Sequence, residues 1–164
     1  MASEYIELPP DDSFTVNSKD QASLIVDQAS MNQHITIDFL KLDKNIEAIT
    51  SNVASDTQLW PVIKDDAYGH GAIPIAKRLA SQVHGFCVVR PSEGVILREA
   101  GIGQPILVFE PPNERNIAIY KSHNLIASVS HVRHLDLLES GCSCHENIDT
   151  GMKRLGAPIE ELSE

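Results

Sequence analysis

Apolar positions divide the chain into short buried-looking runs that alternate with stretches of helical period. Ile35-Thr-Ile-Asp38 alternates as a half-buried strand does, and Leu40 to Val53 sets Leu40, Leu42, Ile46 and Ile49 along one helix face. Leu59-Trp60-Pro61-Val62-Ile63 then predicts a short buried strand, and Ala72 to Ala80 a helix carrying Ile73, Ile75, Ala76 and Leu79. The unit repeats. Gly85-Phe-Cys-Val-Val89 predicts a strand, and Pro91 to Ala100 a helix with Pro91 in its first turn and Gly101 as its stop. Strands follow over Pro105 to Phe109, Leu125 to Val129 and Ser143 to Asp149, separated by helices over Asn113 to Ser122 and about His131 to Glu139.

Such alternation implies a parallel sheet with right-handed helical crossovers, either doubly wound or closed as a barrel. From Leu59 onward it gives five strands and four intervening helices. A complete eight-stranded barrel needs about 250 residues, so in 164 residues a barrel reading is short of strands. Residues 1–30 mix Pro9, Pro10, Asp11 and Asp12 with polar runs and one apolar patch, Leu24-Ile25-Val26. They read as a polar leader or linker.

Composition narrows the function classes. A net charge of -10 opposes nucleic acid or an anionic membrane as main partner. No run approaches the roughly 18 apolar residues of a membrane span, and Met1 to Phe14 lacks a hydrophobic signal core; a cytoplasmic address is the expectation. Cys142-Ser-Cys-His145, near His131 and His134, offers zinc's favoured ligand types. Its cysteines sit closer together than paired zinc ligands do, so the expectation is no metal, with Cys142 and Cys144 as small core residues on one strand face.

The stretch Val62-Ile-Lys-Asp-Asp-Ala-Tyr-Gly-His-Gly71 carries the clearest chemistry. A lysine ends an apolar strand, in the loop position where α/β folds build sites, and Gly69 and Gly71 let backbone approach a ligand near a helix N-terminus. A surface lysine would not require the buried strand and the paired glycines. His70 reads as a structural residue bonded within the turn.

This stretch resembles the cofactor-lysine motif of the alanine racemase family, and Ile148-Asp-Thr-Gly-Met-Lys-Arg-Leu-Gly156 resembles that family's second motif. Ser92-Glu-Gly, Leu97-Arg-Glu-Ala-Gly-Ile102 and Pro105-Ile-Leu-Val lie between them in the family's order, and the likeness runs from about Gln33 to the end. The resemblance implies an α/β fold, a partial (β/α)8 TIM-type barrel with about five of eight strands present over residues 31–164. It implies pyridoxal 5'-phosphate as cofactor, an internal aldimine on Lys64, and interconversion of L- and D-alanine to supply the cell wall. Lys64 is then the catalytic and cofactor-binding residue. Tyr68 would lie near the cofactor phosphate, and Arg154 would reach the cofactor's phenolic oxygen and the substrate carboxylate.

The resemblance further implies a homodimer, and places the later barrel strands, most phosphate-binding loops and a C-terminal β-domain beyond Glu164. The isolated chain is therefore expected to be incomplete and inactive. Alternatives are a noncatalytic fragment that binds cofactor or pairs with a partner, or a broad-spectrum or serine racemase lineage. Three positions depart from the family pattern. Asn147 stands where a lysine, often carbamylated, is usual, and Pro61 and Asp65 replace small residues. A carboxylate beside Lys64 would favour the protonated amine if it pointed inward.

Overall fold

The computed structural model describes residues 13–17, 34–138 and 141–159. It divides into two compact units, Met1–Thr57 and Gln58–Glu164. Leu24-Ile25-Val26 and most of the stretch read as a leader lie outside the described residues.

In the first unit β1 (Ser13–Asn17) pairs antiparallel with β2 (His34–Asp38), Ser13 opposite Asp38 and Asn17 opposite His34. The sequence pattern gave no sign of β1. Helix α1 (Phe39–Thr50) starts on Asp38, whose carboxylate accepts the Lys41 N–H at 3.0 Å. It stops short of the expected Val53. The side chains of Thr50, Ser51 and Asn52 bond the carbonyls of Ile46, Glu47 and Ala48 at 2.7–3.0 Å, satisfying acceptors that a further turn would have used.

The second unit holds α2 (Lys64–Gly69), α3 (Ala72–Leu79), β3 (Phe86–Val88), α4 (Pro91–Glu99), β4 (Ile106–Val108), α5 (Ile117–Ser122), β5 (Ile126–Val129), α6 (Val132–Leu137) and β6 (Cys144–Glu146). The strands form one parallel sheet in the order β3-β4-β5-β6. Val62 adds a fifth segment through a parallel bridge to Cys87. Cys87 N donates to the Pro61 carbonyl and Ile63 N to the Cys87 carbonyl, both at 2.9 Å. Pro61 has no N–H to extend this ladder, so the expected strand shrinks to a bridge. Expected helices shorten for similar reasons. Asn116 Oδ1 accepts the Asn113 N–H at 2.7 Å, holding Asn113–Asn116 in a separate turn before α5.

Burial follows the register. Phe86, Val88, Ile106, Val108 and Ala127 share one sheet face and are 0% exposed, whereas Leu107 and Ile126 on the other face are half-buried and Val62 is 49% exposed. That second face is concave. The Trp60 and His145 rings, on the first and last segments, approach to 5.9 Å between centroids. A flat sheet with strands about 4.8 Å apart would hold them roughly 19 Å apart. Five parallel segments curling with helices on the convex face are an arc of a (β/α)8-type barrel. No helix among the described residues is long and apolar enough to cross a membrane.

Candidate active site

Lys64 comes where the first parallel segment ends, and the four residues after it turn the wrong way for L-amino acids. Asp65, Asp66, Ala67 and Tyr68 have φ of 51–55° and ψ of 39–48°, one left-handed turn containing no glycine. Each such residue costs about 1–2 kcal/mol, so the turn needs external restraint. Asp65 N donates to Glu93 Oε1 at 2.6 Å, Ala67 N to the Ile63 carbonyl at 3.1 Å, and Gly71 N to the Asp66 carbonyl at 3.0 Å. His70 Nδ1 bonds the Ala67 carbonyl oxygen at 2.8 Å, the structural role expected of it. Gly69 and Gly71, at φ of 83° and 86°, complete the reversal into α3.

At the α3 N-terminus the Asp66 carboxylate accepts the Ala72 N–H at 2.7 Å, so that one donor is already taken. The left-handed turn also brings Tyr68 back against the lysine, with Nζ 5.5 Å from the ring centroid. Lys64 is half-buried, Tyr68 is 69% exposed, and Asp65 is exposed.

Arg154 sits in a second loop, after β6. Ile148 bridges Ala157, Asp149 N donates to the Ala157 carbonyl at 2.9 Å, and Ala157 N donates to the Asn147 carbonyl at 2.7 Å. Asp149 Oδ1 accepts from Gly151 N at 2.8 Å and Lys153 N at 3.0 Å. Those bonds, the one from Lys153 foremost, hold its carboxyl below the usual carboxylate range. Gly156 closes the loop at φ of 132°, where a Cβ would meet Asp149 N at 2.6 Å. Arg154 is exposed within this loop.

Parallel segments end on the same edge, so Lys64 and the Arg154 loop both emerge at the C-terminal edge of the sheet. The structure thus brings Lys64 and Tyr68 into contact. Among the described residues no hydrogen bond, ion pair or ring contact joins Arg154 to either. Glu93 and Asp149, which restrain the two loops, went unassigned in the sequence. Glu93 stands where a capping box puts its acid and Asp149 opens an Asp-x-Gly turn, so each left a local signal.

Cys142 and Cys144 are placed otherwise than expected. Cys142 lies outside β6 and Cys144 is exposed, so neither is a core residue. His131 and His134 use Nδ1 to accept the Arg133 and Ser130 N–H groups at 3.1 and 3.2 Å. No group of three or more His, Cys, Asp or Glu among the described residues could hold a metal ion. The buried cysteine is Cys87, whose thiol burial pushes up to about 11, leaving it an inert core group.

Comparison with known proteins bears on the whole of the second unit. The family described as "Alanine racemase, N-terminal domain" matches residues 37–164. The alanine racemase of Streptococcus suis is 37% identical over 131 residues, covering 74% of this chain and 35% of that protein. Among solved structures, alanine racemase from E. faecalis superposes with a TM-score of 0.67 at 30% identity, over 73% of this chain and 35% of that one. Alanine racemase from Bacillus anthracis with bound L-Ala-P gives 0.65 at 33% identity, over 73% and 33%. The chain spans about a third of the length of the relatives it matches. With the family match taking in most of its residues, both loops included, the chain belongs to the alanine racemase family by its N-terminal domain.

Proposed function

We propose that this chain carries the lysine half of the active site of a pyridoxal-phosphate-dependent amino-acid racemase, an isomerase acting on alanine. One observation carries the reading: Lys64 Nζ stands at the C-terminal edge of a parallel sheet, against the Tyr68 ring, on a turn whose backbone is held in an unfavourable conformation. Strain of this kind persists where the surrounding structure maintains it, and it clusters at sites that need one fixed geometry. The donor set fits the cofactor. A half-buried primary amine suits its aldehyde carbon, an exposed phenol beside the amine suits a phosphate oxygen, and a guanidinium suits a phenolate or carboxylate oxygen.

When bound, pyridoxal phosphate supplies the electron sink that makes the α-proton of an amino acid removable. Lys64 Nζ would hold the cofactor and would take or return that proton on one face of the substrate. Tyr68 packs beside the amine and keeps its hydroxyl available to an anionic oxygen. Arg154 orients the substrate carboxylate by a planar fork that stays charged at working pH. Asn147 brings no charge to the Arg154 loop, so the arginine's orientation falls to the Asp149 turn. The relative with bound L-Ala-P supports an alanine-sized ligand.

A second reading is favoured by the exposed apolar side chains Val62, Ile148, Met152 and Leu155. They suit residues 31–164 as the N-terminal portion of a barrel, covered by further polypeptide or by a second copy in a homodimer. In that case this portion binds cofactor and its partner supplies the opposite base. A cytoplasmic setting accords with either reading.

The test is direct. The full chain is incubated with pyridoxal phosphate, reduced with borohydride and digested, and the modified peptide is identified by mass. A single adduct at Lys64, absent from Lys64→Ala, is expected; adducts spread evenly over surface lysines, or none, would sink the reading.

A further inference from the structure

Glu93 takes more donors than a capping residue needs. It lies two residues beyond Pro91 in the first turn of α4, and its Oε2 accepts from Val89 N and Arg90 N, each at 2.8 Å. That oxygen completes the helix start and terminates β3. The other oxygen serves neither element. Oε1 accepts the N–H of Asp65 at 2.6 Å, across 28 positions of sequence. Asp65 is the residue directly after Lys64 and the first of the left-handed turn.

We infer that Glu93 is the positioning residue for Lys64: one carboxylate locks the backbone that aims the amine to the end of β3 and the start of α4. The inference rests on the reading of Lys64 as the cofactor amine and deepens it. A lysine has four rotatable side-chain bonds, so its amine is aimed only as well as its backbone is fixed. The neighbouring peptide here sits in a conformation that L-residues rarely keep. A carboxylate accepting a backbone N–H makes one of the stronger hydrogen bonds available to restrain it. Both carboxylate oxygens are committed, so the role requires a group with two acceptors.

That requirement gives a discriminating variant. In Glu93→Gln the single amide oxygen can stay on Val89 N and Arg90 N, preserving the cap. The amide NH2 then faces the Asp65 N–H, donor against donor. The full-length variant is expected to keep its circular dichroism while its melting temperature falls by several degrees, as the loss of one charge-assisted hydrogen bond requires. Its rate of borohydride-trapped pyridoxal adduct formation at Lys64 should fall about tenfold or more, the worth of one charge-assisted hydrogen bond. Adducts on the other lysines, used as internal standard, should not change.

The Asp65 amide gives an independent readout by NMR. In the wild type it should resonate far downfield and exchange slowly. In E93Q it should move upfield and exchange faster, while the Arg90 amide does neither. An unchanged Lys64 rate in E93Q overturns the inference and leaves the cofactor reading intact. A wild-type chain with no Lys64 adduct overturns the cofactor reading and the inference with it. Should E93Q fail to fold, the wild-type amide decides: protection at Asp65 supports the tether, and exchange at the open-chain rate refutes it.

Discussion

Arg98 ties helix α4 to the two loops that precede β4 and β5. Nε donates to the His123 carbonyl at 3.0 Å, Nη1 to Ile102 and Gln104 at 2.6 Å each, and Nη2 to Asn124 at 3.0 Å. Four carbonyls need a planar fork, and an ammonium cannot span both loops. Arg98→Lys should therefore lose about 2–3 kcal/mol in urea unfolding, and a loss near zero would show that the loops hold without it. His134 works in the opposite sense, as an acceptor. Burial first, then the charges of His131 and Arg133, lowers its pKa from 6.5, so the fold favours neutral imidazole. Its contribution is present above the unfolded value and is lost as pH falls through the folded value. Melting temperature should drop between about pH 7 and pH 5 and flatten in His134→Asn, which keeps an acceptor and does not titrate. An unaltered profile in that variant would assign the drop elsewhere.

Among elements, the turn after Lys64 carries the least conventional backbone, and a stability measurement tests it. Ala67 has φ of 52° and no side-chain role in the turn, so Ala67→Gly should raise stability by roughly 1 kcal/mol. A lower melting temperature in that variant would contradict the left-handed assignment. This turn also marks where sequence reasoning stops. Periodicity located the parallel segments because Phe86, Val88, Ile106 and Val108 belong to uninterrupted apolar runs, and it left their order in the sheet open between a doubly wound and a barrel arrangement. Lys64, Tyr68 and Arg154 were singled out through two motifs, and their roles remain the proposal above. The handedness of Asp65–Tyr68 was not, because two aspartates, an alanine and a tyrosine carry no local signal for four consecutive positive φ values. The bond from Glu93 that restrains the turn depends on strand pairing across Val62 and Cys87, which no local pattern records. Strand length failed at Pro61 for a reason visible in hindsight, its missing N–H.

On the scale of the molecule, curvature of the sheet in residues 58–164 decides whether the two loops face a common space. Trp60 is the single tryptophan, and its ring meets His145 on the last strand. Imidazole quenches indole emission at contact, so His145→Ala should brighten the fluorescence of the folded chain and leave that of the urea-unfolded chain unchanged. Equal emission from both folded proteins would mean that the arc is open in solution. The same ring contact carries a kinetic consequence. Parallel neighbours cannot zip from a hairpin, and each must wait for the helix between them to form and dock. Trp60 and His145 belong to the first and last members of that succession, so their meeting is its closing event. In a refolding experiment, quenching of Trp60 should lag behind the recovery of helical circular dichroism, timing the moment at which the curl is complete.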